Sequence, residues 1–539
     1  MHKFTTKQPS LFIYSPYIEE QTQKIDTFLR ILEESGVSEI LTNHFNQTNF
    51  GRPGLDPATM LATIILGFAF GASSLRELAD ACKYDLRFLY IVDQNPPNFS
   101  TFSKFINGVI KPNSDEIFAC ITKAYFKHCQ ISFDICHIDG TKFQARPNKY
   151  KFVWKPTTWH ERLTGKIRSL LNDLNLSSHI PKEGYIPSQL LAEKLNELML
   201  RPLPEDLSEQ KIIKEKILSL SNYLSKNIEY EEKEEICGPN RNSYYKTDHD
   251  ATGMCLKEDY YSGLGTNLHP AYQMQTIVSN GFIVSYYVSQ DRSDLHTFIP
   301  AMTKFHAMYD RYPKCVTADS GYGDLQNYQF CENNGIEAYI KYQQWAGEAN
   351  GRRPALFELN NNLTITCING NIGYALIDIK RHHKIKGSTF YKVNCPLDCA
   401  FMPYCRQYHK EEICDERIFE INTTYQKLKQ LARDRLLTPK GIEMRINRSC
   451  QVEGAYGILK YDMAYSRIRR VTIDRVNAEY MLTCLGFNTR KLFKYIGGGV
   501  SFKYWKAPEN LISEQFRKPS AKRLATRARK RRAKQQGQN

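Results

Sequence analysis

The stretch FDICHIDG, Phe133–Gly140, decides the fold. Before it, apolar residues recur at helical spacing. Here Phe133, Ile135 and Ile138 stand among β-favouring neighbours and read as a buried strand that stops at Asp139-Gly140. Strand signals return in AYQMQTIVS and FIVSYYVSQ, between Ala271 and Gln290, joined by Asn280-Gly281, a dipeptide that suits a two-residue hairpin. A helix (HTFIPAMTKFHAMYDRY), a strand (KCVTADSG), a helix (DLQNYQFCENNG) and a strand (IEAYIKY) follow. That alternation predicts an α/β fold with a mixed sheet. The charged stretch from about 161 to 235 has helical periodicity throughout and reads as an insertion into the sheet. Residues 350–420 read as irregular, with short strands and clustered cysteines, and SCQVEGAYGILKYDM reads as a helix.

Toward the N-terminus the pattern is helical. Asp56-Pro57 makes a good helix start, Ser74 followed by Glu77 is a capping-box pattern, and Ser100 reads as the start of a third helix. Short helices with tight polar turns suit a helix-turn-helix DNA module and a plain bundle equally.

The chain has 539 residues, 42% hydrophobic and 24% charged, which excludes wholesale disorder. Its longest apolar run, Met60–Phe70, is shorter than the ~20 residues a membrane-crossing helix needs. The opening MHKFTTKQPSLFIYSPYIEEQ has no apolar secretory core, so a cytoplasmic, nucleoid-associated protein with reduced thiols is expected for the 15 cysteines. The net charge is +16, and the tail from Arg517 holds much of it: Arg527, Arg529, Lys530, Arg531 and Arg532 lie in a run with no acid. Such a block stays extended unless it meets a polyanion, so it points to nucleic-acid phosphate, with a solubilising tail as the plainer role.

Three acids are poorly explained by structure alone. Asp139 and Asp319 end apolar strands, and Glu453 lies on an apolar helix. A carboxylate at a buried strand end costs desolvation unless a cation or hydrogen bonds compensate it. Three such groups suit a pair of hard divalent ions that activate the attacking oxygen and stabilise the leaving one in phosphodiester displacement. Each acid alone would also serve as a helix cap or surface strand end. Lys460, seven residues after Glu453, would share its face on an α-helix.

At these residues the chain resembles the DDE transposases of bacterial insertion sequences. The matching segments are IDGTKFQARPNKYKFVWK (138–155), TADSGYGDLQNYQFCENNGIEAYIKY (317–342) and RSCQVEGAYGILK (448–460). GRPGLDPATML, SSLRELADAC and NFSTFSKF resemble the helical domain that precedes the core. The resemblance covers about 20 to 490. It implies a helical DNA-binding domain (1–125), an RNase H-like catalytic domain (126–490, with a helical insertion at about 160–240 and a cysteine-rich insert at about 360–420) and a C-terminal segment with a basic tail (491–539). It implies Asp139, Asp319 and Glu453 as catalytic Mg²⁺ (or Mn²⁺) ligands, two ions, terminal repeats and target DNA as partners, and a homodimer. Many relatives carry Y-x2-R-x3-E-x6-K. Here Glu453 and Lys460 keep the second half, while Ile446 and Ser449 occupy the Tyr and Arg positions, leaving Arg448 to act with a shifted register. Lys142 and Arg448 join Lys460 and the tail as expected DNA contacts.

Cys395, Cys399, Cys405 and Cys414 cluster, with His409 between and Cys367 upstream. Only the first spacing suits a zinc site well. A similar cysteine-rich insert in related transposases favours Cys367, Cys395, Cys399 and Cys405 as structural zinc ligands, with buried thiols as the alternative. Trp154 suits an ordinary core position or stacking on an unpaired base. Asp248, Asp250 and Asp259 read as surface acids. Two rivals to a transposase stay open: a non-catalytic DNA-binding regulator derived from one, and a nuclease of the same fold that cuts without joining.

Overall fold

A computed structural model describes residues 16–44, 55–72, 74–93, 95–202, 204–239, 241–257, 259, 262, 267–360, 364–376, 385–396, 399–405, 416–499, 502, 504–516, 525, 526 and 529. The chain divides into two compact units, one of Met1–Thr141, Met274–Ser466 and Asn477–Asn539, the other of Lys142–Gln273 and Arg467–Val476.

The first unit opens with helices α1 (Pro16–Glu34), α2 (Val37–His44), α3 (Pro57–Ala69), α4 (Leu75–Tyr84), α5 (Leu86–Val92), α6 (Phe99–Phe105) and α7 (Ser114–Cys129). The Asp56 carboxylate accepts from the Thr59 N–H at 2.8 Å, and Pro57 takes the first helical position, where its missing N–H costs nothing. Ser74 Oγ accepts from the Glu77 N–H at 3.2 Å. The expected start at Ser100 moves back to Asn98, whose side chain accepts from the Ser100 N–H. Asparagine after Pro96-Pro97 is the stronger cap, because the prolines keep the chain extended up to it.

Strand β1 (Ile135–Gln144) follows. It does not stop at Gly140 as expected, so Asp139 lies inside the strand. The chain continues through β2 (Phe152–Trp154), α8 (Thr157–Asp173), α9 (Ser188–Met199), α10 (Leu207–Cys237), β3 (Ser243–Tyr245), β4 (Thr252–Cys255) and β5 (Leu268–Ser279). Next come β6 (Phe282–Ser289), α11 (Phe298–Tyr309), β7 (Cys315–Ala318), α12 (Leu325–Asn333) and β8 (Glu337–Ile340). The main sheet is mixed: β5, β1, β7 and β8 are successive neighbours and β6 pairs with β5. β1 and β7 run parallel with His137 opposite Thr317, and β7 runs parallel to β8. Asn280 (φ 50°) and Gly281 (φ 71°) supply the two left-handed residues of the β5–β6 turn.

Most of β5 and β6 is buried, so their backbone groups must be paired within the protein. Asn488 does part of this. Its amide accepts from the Ile283 N–H at 2.8 Å and donates to the Ile283 carbonyl at 2.7 Å.

Residues 350–420, expected to be irregular, contain β9 (Phe357–Leu359), β10 (Ile365–Cys367), β11 (Ile372–Ala375), β12 (Thr389–Asn394) and β13 (Glu416–Ile421). These form one antiparallel sheet in the order β13-β12-β11-β10-β9. Ile365, Tyr391, Val393, Phe419 and Ile421 give it a core of its own. Helices α13 (Thr423–Leu437) and α14 (Pro439–Arg448), an irregularly wound segment through Asp462 and α15 (Ile473–Ile496) complete the chain.

In the second unit α8, α9 and α10 pack around Ile167, Leu171, Leu176, Leu191 and Leu220. Asp248, expected at the surface, is buried; both of its oxygens accept from the Tyr272 hydroxyl at 2.9 Å, and Oδ1 accepts from the Thr472 N–H at 3.1 Å. Trp154 is 53% exposed and is not a core residue. Among the described residues no helix is long and apolar enough to cross a membrane.

Candidate active site

Two parallel strands set the first pair of acids. The β1–β7 register that places His137 opposite Thr317 reaches, two residues on, Asp139 and Asp319. Period-two alternation sends both side chains to one face. Asp139 Oδ1 accepts from the Gly140 N–H at 2.9 Å, and its carbonyl accepts from the Tyr456 hydroxyl at 2.7 Å. Asp319 Oδ1 accepts from the Gly321 N–H at 2.7 Å.

Arg448 draws the third acid in. One guanidinium nitrogen donates to Asp139 Oδ2 at 3.0 Å, and another lies 3.5 Å from Glu453 Oε1. The shifted register has a physical cause. An arginine four residues before a glutamate shares its face on an α-helix, but Arg448 is five residues before Glu453. Ser449–Glu453 is wound as a π turn, in which i and i+5 are the bonded pair. The extra residue brings Arg448 over Glu453 where Ser449 would otherwise stand. A second π turn covers Ile458–Asp462 and contains the half-buried Lys460, so the two-turn α-helical count from Glu453 to Lys460 does not apply.

Two charged residues escaped the sequence reading. Asp294 Oδ1 accepts from Gln275 Nε2 at 2.9 Å and lies 3.4 Å from the Tyr322 hydroxyl, which also donates to Gln275 Oε1 at 2.5 Å. Asp294 Oδ2 and Asp319 Oδ1 both lie within 3.5 Å of the point where a Gly321 side chain would begin. Asp294 follows the end of β6 by five residues, and nothing local in the sequence marks it out. Lys341, one residue past β8, feels Arg448 and Arg445 as repelling neighbours and Asp319 and Glu453 as attracting ones. Burial first, then those cations, hold its ammonium below the ordinary lysine range.

Burial governs the electrostatics of the site. Burial pushes the Asp139 carboxyl up to about 6; Arg448 opposes the rise, while Asp319 and Asp294 add to it. His137, buried beside the site, is pushed down to about 3 by burial and by Arg448, so it stays neutral. A methyl on Gly140 would overlap Asp294 Oδ1 and Gln275 Nε2. Gly140→Ala is therefore expected to cost about 1–3 kcal/mol in a urea unfolding curve; an unchanged midpoint would show that this corner has slack.

Among the described residues no group of three or more His, Cys, Asp or Glu side chains is arranged to hold a metal ion. The acids still have the donor chemistry of a hard divalent cation: oxygen ligands, one of which resists ionisation chiefly because it is buried. Arg448 supplies the positive charge between Asp139 and Glu453. The cysteines fit zinc less well. Cys367, Cys395 and Cys405 pack against the apolar core of the five-stranded sheet, and Cys399 is half-buried. No disulfide forms among the described cysteines. Cys414 and His409 lie outside the described residues, as do Arg527, Lys530, Arg531 and Arg532 of the tail; Arg529 is described and exposed. Lys142 lies three residues beyond Asp139 on β1 and is half-buried.

Two family models match the chain. A transposase DDE domain matches residues 366–493, a span that includes Arg448, Glu453 and Lys460 but neither Asp139 nor Asp319. A transposase domain (DUF772) matches residues 14–108. No curated protein and no solved structure matches.

Proposed function

We propose, for a chain whose two matched domains mark it as an insertion-sequence DDE transposase, a full cut-and-join reaction. The protein binds the terminal inverted repeats of its element, hydrolyses phosphodiester bonds at the ends and joins each freed 3′-hydroxyl to target DNA. The observation that carries this reading is the meeting of Asp139 and Glu453 on Arg448, with Asp319 just past the end of β7, the strand beside Asp139. Mg²⁺ or Mn²⁺ ions held by Asp139, Asp319 and Glu453 would supply an activated attacking oxygen and neutralise charge on the leaving one.

The rest falls to the chain's own groups. The guanidinium fork of Arg448 fits phosphate as well as carboxylate, so it can pass from the acids to the scissile phosphate when DNA arrives. Lys341 adds a second cation beside the acids. Lys460, Lys142, Arg529 and the tail residues Arg527, Lys530, Arg531 and Arg532 meet the DNA backbone, where each neutralised phosphate releases counterions. His137 is held neutral in the interior and takes no part in proton transfer. The parallel acid-bearing strands and the glutamate-bearing helix suit an RNase H-like core, and two copies of the chain would hold the two element ends together.

Asp319→Asn tests the reading. Cleavage of labelled terminal-repeat DNA is expected to fall at least about a thousandfold, with duplex affinity changed by no more than about twofold. A variant that still cuts removes Asp319 from the site. Wild-type cleavage without a joined product would favour the nuclease, and binding without cleavage would favour the regulator.

A further inference from the structure

Between Gly140 and His160 the chain carries Lys142, Arg146, Lys149, Lys151 and Lys155 and no acid. Five aromatics are interleaved with them; Phe143 is buried and the other four are exposed. Tyr150 is 77% exposed, Phe152 43%, Trp154 53% and Trp159 63%. Phe152 and Trp154 stand two residues apart on β2, on one face, with their rings edge to face at 5.3 Å. β2 pairs with β3, setting Phe152 opposite Tyr245 and Trp154 opposite Ser243. Lys149, Tyr150, Phe152, Trp154, Tyr245 and Leu268 line an open cleft of about 360 Å³ within the second unit. That is the size of a small-ligand cleft.

Rings this large are normally buried, and a contiguous group left in water marks a contact surface. The surrounding charge says what the contact is. Lys149 Nζ lies 5.2 Å from the centre of the Tyr150 ring, and the Arg162 guanidinium 5.3 Å from that of Trp159. Flat apolar faces alternating with cations match a strand that alternates flat bases with phosphates. A paired duplex hides its base faces; an unpaired strand presents them.

We infer that this face of the second unit binds unpaired bases of a DNA strand. The bases stack on Trp154 and Tyr150 while Lys149 and Lys151 meet the phosphates. This deepens the transposase reading by naming the state of the DNA that the protein handles, and it rests on DNA being the partner.

The test uses the full chain and two mixed-sequence duplexes, one blunt and one with a short single-stranded overhang carrying 2-aminopurine. The fluorescence of the overhang is expected to be quenched on binding. Trp154→Ala should weaken the overhang probe about tenfold, the worth of a lost base stack, and change the blunt probe by less than about twofold. Trp154→Phe should restore most of the loss. Equal weakening of both probes, or binding of the overhang without quenching, overturns the inference and leaves the transposase reading standing. So does a Trp154→Ala variant that loses self-association but keeps full overhang affinity, which would assign the face to a second copy. A wild-type chain that binds neither probe takes the DNA reading down with it.

Discussion

Asp139→Asn is expected to abolish strand cleavage, by at least about a thousandfold, and to leave a protein more stable than its parent above pH 6 in magnesium-free buffer. The sign follows from the site. An aspartate in the unfolded chain titrates near pH 3.9, whereas in the fold burial holds Asp139 up at about 6. Between those values the folded state binds more protons than the unfolded one, so stability falls as pH rises through the window. The loss is complete above about 6 and absent below about 4. An asparagine never charges and escapes it. A window about two pH units wide is worth about 3 kcal/mol, and the net gain should be smaller because Arg448 gives up a charged partner. Urea curves with a chelator should therefore nearly coincide near pH 4 and separate by about 1–2 kcal/mol near pH 8. A variant less stable than its parent at the higher pH would mean that the Arg448 pair outweighs the burial of Asp139. Activity and stability are thus expected to be opposed at this residue.

Arg448→Ala is the converse experiment. The Arg448 side chain is 10% exposed and that of Asp139 19%, so removing the arginine strands a mostly buried carboxylate beside Asp319 and Asp294. Breaking such a pair costs more than making it gained, about 2–4 kcal/mol above pH 6. The cost should shrink as Asp139 protonates in acid. A magnesium titration followed by thermal unfolding distinguishes placement from mere neutralisation. If Arg448 occupies the place a divalent ion would take, the variant should gain more stability from magnesium than its parent does. Equal gains would mean that arginine and ion do not compete for Asp139.

What could be read in the sequence was mostly what local chemistry decides. The Asp56-Pro57 start, the Ser74 cap and the Asn280-Gly281 turn each need only a few adjacent residues, and each formed where expected. Asp139, Asp319 and Glu453 stood out because a carboxylate against an apolar strand or helix is conspicuous. The failures share a cause in contacts between distant segments. Gly140 read as a strand stop because nothing nearby explains it; its lack of a side chain makes room for Asp294 and Gln275, more than a hundred residues away. Asp294 itself resembles an ordinary loop acid. The burial of Asp248 depends on Tyr272 and Thr472. The five short strands after β8 are too brief to show periodicity singly and become a sheet only by pairing.

The π turn that sets Arg448 above Glu453 holds one residue more than ordinary winding would use. Missense changes among Ser449–Val452 preserve the number of residues in the turn. Loss of a single codon there would restore ordinary winding with the arginine four residues before the glutamate, a spacing that still shares one face of the helix. A chain one residue shorter in the turn is therefore expected to keep the arginine–glutamate pair, whereas a chain one residue longer would part it.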